Sequence, residues 1–141
     1  MGNLDFWRCD TDTVTVLLGN GDGTFNVTAS SPAAGSKPNQ LAVGDFNGDG
    51  IPDLVVVSDL TNSMTVLLGN GDGTFTATSN SPAVGSNPNA IAVGDFNGDS
   101  NLDLAITDTY DDTISILLGK GVGRLPQQPA CIAEAMVRPL R

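Results

Sequence analysis

Apolar residues in this chain come in short runs of Val, Ile, Leu and Thr, each closed by Gly, Asn, Asp or Pro. Branched side chains in runs of that length, with turn formers at both ends, predict strands. Residues 41–45 predict one strand, an Asn/Gly/Asp loop follows, and residues 53–58 predict a second. A polar turn over 59–63 leads to a third strand at 64–68. A glycine-rich loop at 69–73 then leads to a fourth, beginning at Thr74-Phe75. A Ser/Asn/Pro linker over 79–89 leads into the same sequence of elements again.

That recurrence has a period of 50. Val16-Leu17-Leu18-Gly19-Asn20-Gly21-Asp22-Gly23-Thr24-Phe25 returns unchanged as residues 66–75, and Ala42-Val43-Gly44-Asp45-Phe46-Asn47-Gly48-Asp49 returns as residues 92–99. Residues 11–50 and 61–100 share 28 identities in 40 positions, with a weaker third copy at Ile114-Ser115-Ile116-Leu117-Leu118-Gly119. A period of this length marks a solenoid, a propeller or an array, in which each unit buries a face against the next. Four antiparallel strands per period match a β-propeller blade. The expected fold is all-β: tandem four-stranded antiparallel β-propeller blades, about two and a half of them, forming an incomplete propeller with an irregular C-terminal tail. Flat arrays and β-solenoids are the alternatives.

Residues 1–40 read as a partial first repeat, the second half of a blade plus linker, because residues 4–7 fall where residues 54–57 do. Residues 41–90 form the second repeat and residues 91–123 a truncated third. From Arg124 to Arg141 the tail diverges, with a short helix expected over 132–137. Propellers need about four blades, so this chain is not expected to close a ring alone. Its open blade edges invite self-association.

The charge is lopsided in sign and in kind. The formal net charge is −10, carried by 15 Asp and one Glu, Glu134. Such a chain lacks the basic patch that nucleic acid demands, so no nucleic-acid partner is expected. No His is present, which excludes the Ser/His/Asp triad, the Cys/His dyad and imidazole-dependent zinc or haem sites. At 40% apolar content there is a core to bury, so disorder is not expected. No apolar run approaches the roughly 20 residues of a membrane span, and the N-terminus has no signal-peptide pattern. Cys9 and Cys131 lie at opposite ends, in no metal-type spacing, and are compatible with a disulfide or with two free thiols.

Candidate chemistry sits in the acidic loops. Asp45-Phe46-Asn47-Gly48-Asp49-Gly50-Ile51-Pro52-Asp53 sets oxygen side chains at loop positions 1, 3, 5 and 9, and residues 95–103 repeat this with Asp95, Asn97, Asp99 and Asp103. Hard divalent cations take six to eight oxygens, and alternate residues of a tight loop can face one point. Ile51 and Asn101, at position 7, would offer backbone carbonyls. The spacing predicts Ca2+, with Mg2+ less suited because it prefers fewer protein ligands. The competing reading is that these residues make Asx-turns. Ser100 stands where the first loop has Gly50, and a left-handed backbone there would cost Ser about 1 kcal/mol and weaken the second site. The loops at residues 19–23 and 69–73 read as hairpin turns, since the third copy, Gly119-Lys120-Gly121-Val122-Gly123, keeps the glycines and loses Asn and Asp.

The unit from Gly44-Asp45-Phe46-Asn47-Gly48-Asp49-Gly50 through Asp53-Leu54-Val55-Val56 to Thr74-Phe75 resembles an FG-GAP/VCBS repeat. That family includes the blades of integrin alpha-chain propellers and repeats in secreted bacterial and lectin-like proteins. The resemblance spans most of residues 4–123. It implies a propeller blade with a calcium-carrying hairpin on one rim, its ligands being Asp45, Asn47, Asp49, Asp53 and the Ile51 carbonyl, then Asp95, Asn97, Asp99, Asp103 and the Asn101 carbonyl.

The expected function is a non-catalytic, calcium-binding extracellular repeat module for adhesion or ligand display, part of a larger propeller, with an unknown protein or glycan as ligand. A carbohydrate-binding, lectin-like module is the alternative, although aromatics are only 5% of the chain. Phe25, Phe46, Phe75 and Phe96 are expected to fill the core between blades rather than to form sugar platforms. A glycan-active enzyme with paired carboxylates is the third reading. It is disfavoured because the well-placed Asp residues are claimed by the loops.

Overall fold

The structure is a computed structural model that describes residues 12–80, 82–120 and the backbone of 135–139. The described residues contain strands and turns and no helix. Ten strands follow in order: β1 (Leu17–Gly19), β2 (Phe25–Val27), β3 (Pro38–Gly44), β4 (Asp53–Ser58), β5 (Ser63–Gly69), β6 (Phe75–Ala77), β7 (Pro88–Gly94), β8 (Asp103–Asp108), β9 (Thr113–Leu117) and β10 (Ala135–Pro139). The bounds of β3 to β6 fall within a few residues of the pattern-based expectation. Residues 4–7, Cys9 and Cys131, on which three sequence expectations rest, lie outside the described residues.

The strands form three antiparallel sheets: β1–β2, β3–β4–β5–β6 and β7–β8–β9–β10. The second and third share a register, with Leu41 opposite Val56 and Leu54 opposite Leu67, and likewise Ile91 opposite Ile106 and Leu104 opposite Leu117. Ala135–Pro139 corrects the expected helix over 132–137 in its described part, since these residues pair with β9 from Ala135↔Leu117 to Pro139↔Thr113. Ala, Glu and Met are good helix formers, but intrinsic propensity amounts to only a few tenths of a kcal/mol per residue and is overridden by pairing with the open edge of β9. In the second sheet, β6 and the linker share that edge of β5, through Leu67↔Ala77 and the bridge Ser63↔Ala83.

Period-2 alternation gives each sheet two apolar faces. Val55, Val57, Met64 and Val66 turn one way and pack on Leu104, Ile106 and Leu117 of the third sheet, forming the larger core. Leu54, Val56 and Leu67 turn the other way, toward Ala34 and Val14 beside the β1–β2 hairpin. The three sheets therefore stack face to face in chain order. Leu104, Ile106, Leu117 and Met64 of the larger core have their copies Leu54, Val56, Leu67 and Val14 in the smaller one, one interface along.

The stack also explains which aromatics the core absorbs. Phe46, between the second and third sheets, is 6% exposed, while its copy Phe96 is 53% exposed. Phe75 packs against the smaller core, while its copy Phe25 is 65% exposed. The expectation that all four fill the core holds for Phe46 and Phe75. It fails for Phe25 and Phe96, because among the described residues no sheet lies beyond the two ends of the stack.

Candidate functional site

Both acidic loops connect the first two strands of a four-stranded sheet, residues 45–53 joining β3 to β4 and residues 95–103 joining β7 to β8. Their backbones close by the same hydrogen bonds. Asp45 Oδ1 accepts from the N–H of Gly48 at 2.7 Å and of Asp49 at 3.1 Å, and Oδ2 accepts from Gly50 at 2.9 Å. Asp95 does the same for Gly98, Asp99 and Ser100. Asn47 accepts from the Asp49 N–H at 3.0 Å and donates its amide to Asp49 Oδ2 at 2.8 Å, and Asp49 Oδ1 accepts from Ile51. Asn97, Asp99 and Asn101 repeat that set.

The fourth acid is of another kind. Asp53 is fully buried, with Oδ2 accepting the Phe46 N–H at 2.9 Å and Oδ1 the Gly69 N–H at 2.8 Å. Asp103 is likewise buried between Phe96 and Gly119. Each carboxylate thus ties its loop to the end of the third strand in its sheet. Gly69 and Gly119 are the partners that sequence reading missed. A Cβ on Gly69 would lie 2.2 Å from the Pro52 carbonyl oxygen, and one on Gly119 would lie 2.3 Å from that of Leu102. The signal was present in Gly119, retained in a third copy whose loop loses its Asn and Asp.

Burial holds the Asp53 carboxyl above its ordinary range; bonds from Gly69 and Phe46 pull it down, and the charges of Asp49 and Asp45 push it further up. A raised folded-state value favours folding at low pH, and that contribution is lost as pH rises through the folded value. Asp99 is shifted the other way, held low by the Asn101 N–H and then by the Asn97 amide. Its contribution to folding is present above its unfolded value and lost as pH falls through the folded one.

As donors, the loop residues are oxygens throughout: three carboxylates and one amide in each loop, suited in kind to a hard cation. Among the described residues, however, no three Asp, Glu, Cys or His side chains are gathered closely enough to hold a metal ion. The loops are closed by Asx-type hydrogen bonds.

The two loops differ in strain and shelter. Gly50 has φ of 83° and Ser100 has φ of 70°, so the position is left-handed in both, and Ser100 carries the penalty the sequence reading attached to that condition. Ser100→Gly is expected to stabilise the chain by about 1 kcal/mol, while Gly50→Ser costs a similar amount. Paired denaturant titrations measure both. A neutral Ser100→Gly would show that its hydroxyl, or relaxation of the loop, offsets the backbone cost. The 45–53 loop is the more sheltered: Asp45 and Asn47 are half-buried, whereas Asp95 and Asn97 are exposed. Leu102 lies close against Gly44 at the foot of the first loop.

The glycine-rich turns at residues 19–23 and 69–73 are hairpin turns, as expected. Asp22 and Asp72 each accept the N–H and hydroxyl of the Thr two residues on, Thr24 and Thr74. The Thr side-chain bond and then its backbone bond hold both carboxyls below their ordinary range.

Stacked antiparallel sheets, a period of 50 and an Asx-closed acidic loop in each complete unit define an all-β tandem-repeat protein. A family model of the FG-GAP-like repeat matches residues 2–56 and 45–106, and the chain belongs to that family. No curated protein matches the chain, and no solved structure does.

Proposed function

We propose that the chain is a non-catalytic, calcium-binding module of propeller blades, acting outside the cell in adhesion or ligand display within a larger FG-GAP propeller. Its blades are residues 1–40 (partial), 41–90 and 91–123, the last taking its fourth strand, β10, from the tail 124–141. One observation carries the calcium reading: the same oxygen-donor loop is built twice, in corresponding places on successive sheets. Asp45, Asn47, Asp49, Asp53 and the Ile51 carbonyl would hold one ion, and Asp95, Asn97, Asp99, Asp103 and the Asn101 carbonyl the other. When bound, the ion supplies charge neutralisation. Without an ion, the Asn47 and Asn97 amides partner the Asp49 and Asp99 carboxylates that would help hold it. The charges of Asp49 and Asp45 are a further argument, since they disfavour the ionised form of Asp53 and a cation would offset them. Extracellular modules bind calcium at about 10⁻⁴–10⁻³ M, which suits loops this exposed. FG-GAP repeats are typically non-catalytic, which agrees with a chain whose well-placed acids hold backbone.

Thermal unfolding in chelator and then in about 5 mM Ca2+, at constant ionic strength, tests the reading. Two sites with dissociation constants near 0.5 mM add roughly 3 kcal/mol, or about 6–12 °C in Tm. The rise on adding calcium is expected to vanish in the Asp45→Ala/Asp95→Ala double variant. A cooperative wild-type melt that calcium does not move would return both loops to plain Asx-turns.

A further inference from the structure

The internal interfaces of the stack specify what its two outer faces fit. Each interface joins the forward face of one sheet, which carries Val55, Val57, Met64 and Val66 in the second sheet, to the backward face of the next, which carries Leu104, Ile106 and Leu117 in the third. One backward face and one forward face are left over among the described residues. The backward face lies on the first sheet, where Leu17, Phe25 and Val27 are exposed, although the Leu17 copy Leu67 is fully buried and the Phe25 copy Phe75 is half-buried. The forward face lies on the third, where Phe96 is exposed and Ile114 and Ile116 are half-exposed, while their copies Phe46, Met64 and Val66 are buried. Each internal copy shows what its outer counterpart does once a neighbour is present.

We propose that these two faces bind each other between copies of this chain, head to tail, the β7–β9 face of one molecule seating on the β1–β2 face of the next. The contact continues an interface the chain already makes twice, with Ile114 and Ile116 standing for Met64 and Val66 and Leu17 for Leu67, while Thr107 and Ala105 replace Val57 and Val55. It is heterologous, since one copy's forward face meets another's backward face, so the assembly either closes as a ring or grows as an open stack. Among the described residues each copy brings two four-stranded sheets and one two-stranded sheet, so two copies reach the roughly four to eight blades of closed propellers. The inference rests on apolar side chains and not on the loop carboxylates, although Phe96 belongs to the 95–103 loop and its N–H is held by Asp103.

Sedimentation velocity on the full chain, over about 5–100 µM and in both calcium and chelator, tests it together with Phe25→Lys and Phe96→Lys. The wild type is expected at twice the mass of one chain or more. Each variant alone is expected as a monomer. An equimolar mixture of the two is expected to form a dimer, since Phe25→Lys keeps its forward face and Phe96→Lys its backward one. Val27→Lys and Ile116→Lys repeat the design should either Phe variant lose its cooperative melt. A wild type that stays monomeric across the range would overturn the proposal and leave the faces to another repeat of a longer polypeptide. Self-association retained by one variant alone would mean like faces meet like. Association seen only in calcium and kept by both Phe variants would place the contact at the loop acids. Either result sinks the head-to-tail contact.

Discussion

Asp53→Ala is expected to lower stability by about 3–5 kcal/mol in chelator, a drop in Tm of roughly 8–15 °C for a chain of this size. The side chain is fully buried, and its two oxygens take the N–H groups of Phe46 and Gly69. Hydrogen bonds to a charged acceptor contribute about 1.5–3 kcal/mol each, and truncation strands both donors in the interior. The cost of burying the carboxylate, visible in its raised pKa, is relieved at the same time, which keeps the loss below the larger sum. Asp103→Ala is expected to act in the same way on the third sheet. Asp49→Ala, in the same loop but exposed, is the control and is expected to cost about 1 kcal/mol. Chelator removes any cation from the comparison. Similar melts for Asp53→Ala and Asp49→Ala would show that the buried carboxylate is not the tie between loop and sheet.

Met64→Ala is expected to cost about 3 kcal/mol and Ile114→Ala about 1 kcal/mol or less under dilute conditions. The two residues are repeats of each other, one period apart. Met64 is fully buried between the second and third sheets, so truncation removes contacts on both sides and leaves a cavity. Ile114 has the same place on the forward face of the third sheet but is half-exposed, so water takes up much of the change. Urea titrations of both variants at a few micromolar give the two values with the chain largely its own control. Equal losses at that dilution would mean that the outer face is covered, by the same chain or by a second copy, against the exposure described above.

Much of this was legible because the repeat supplied its own alignment. Strands β3 to β6 could be placed from apolar runs and turn formers, and Ser100 could be singled out by laying it on Gly50. The tail could not be read this way. Ala135, Met136 and Val137 have no copy elsewhere, and local helix preference is weak beside an open strand edge at β9. The acidic loops were half legible. Spacing grouped Asp45, Asp49 and Asp53 as equivalents, yet Asp53 is held by backbone across the sheet and Asp45 by backbone within the loop. That division depends on Gly69, sixteen residues away, and on close packing that no local pattern encodes. Phe25 and Phe96 were misplaced for a related reason. A sequence shows which side chains suit an interface but not whether a neighbour is there to make it.

Stacking by equivalent faces has a consequence for the gene as well as for the molecule. Deleting or duplicating one whole period leaves every sheet with a neighbour of the expected shape, because each contact partner sits one unit along. A deletion of a few residues within a period shifts strand register and turns apolar side chains to the wrong face. Unequal recombination between the near-identical stretches around residues 16–25 and 66–75 gives the tolerated kind of change. Proteins built this way therefore vary in length by whole units, with each unit's interior left intact.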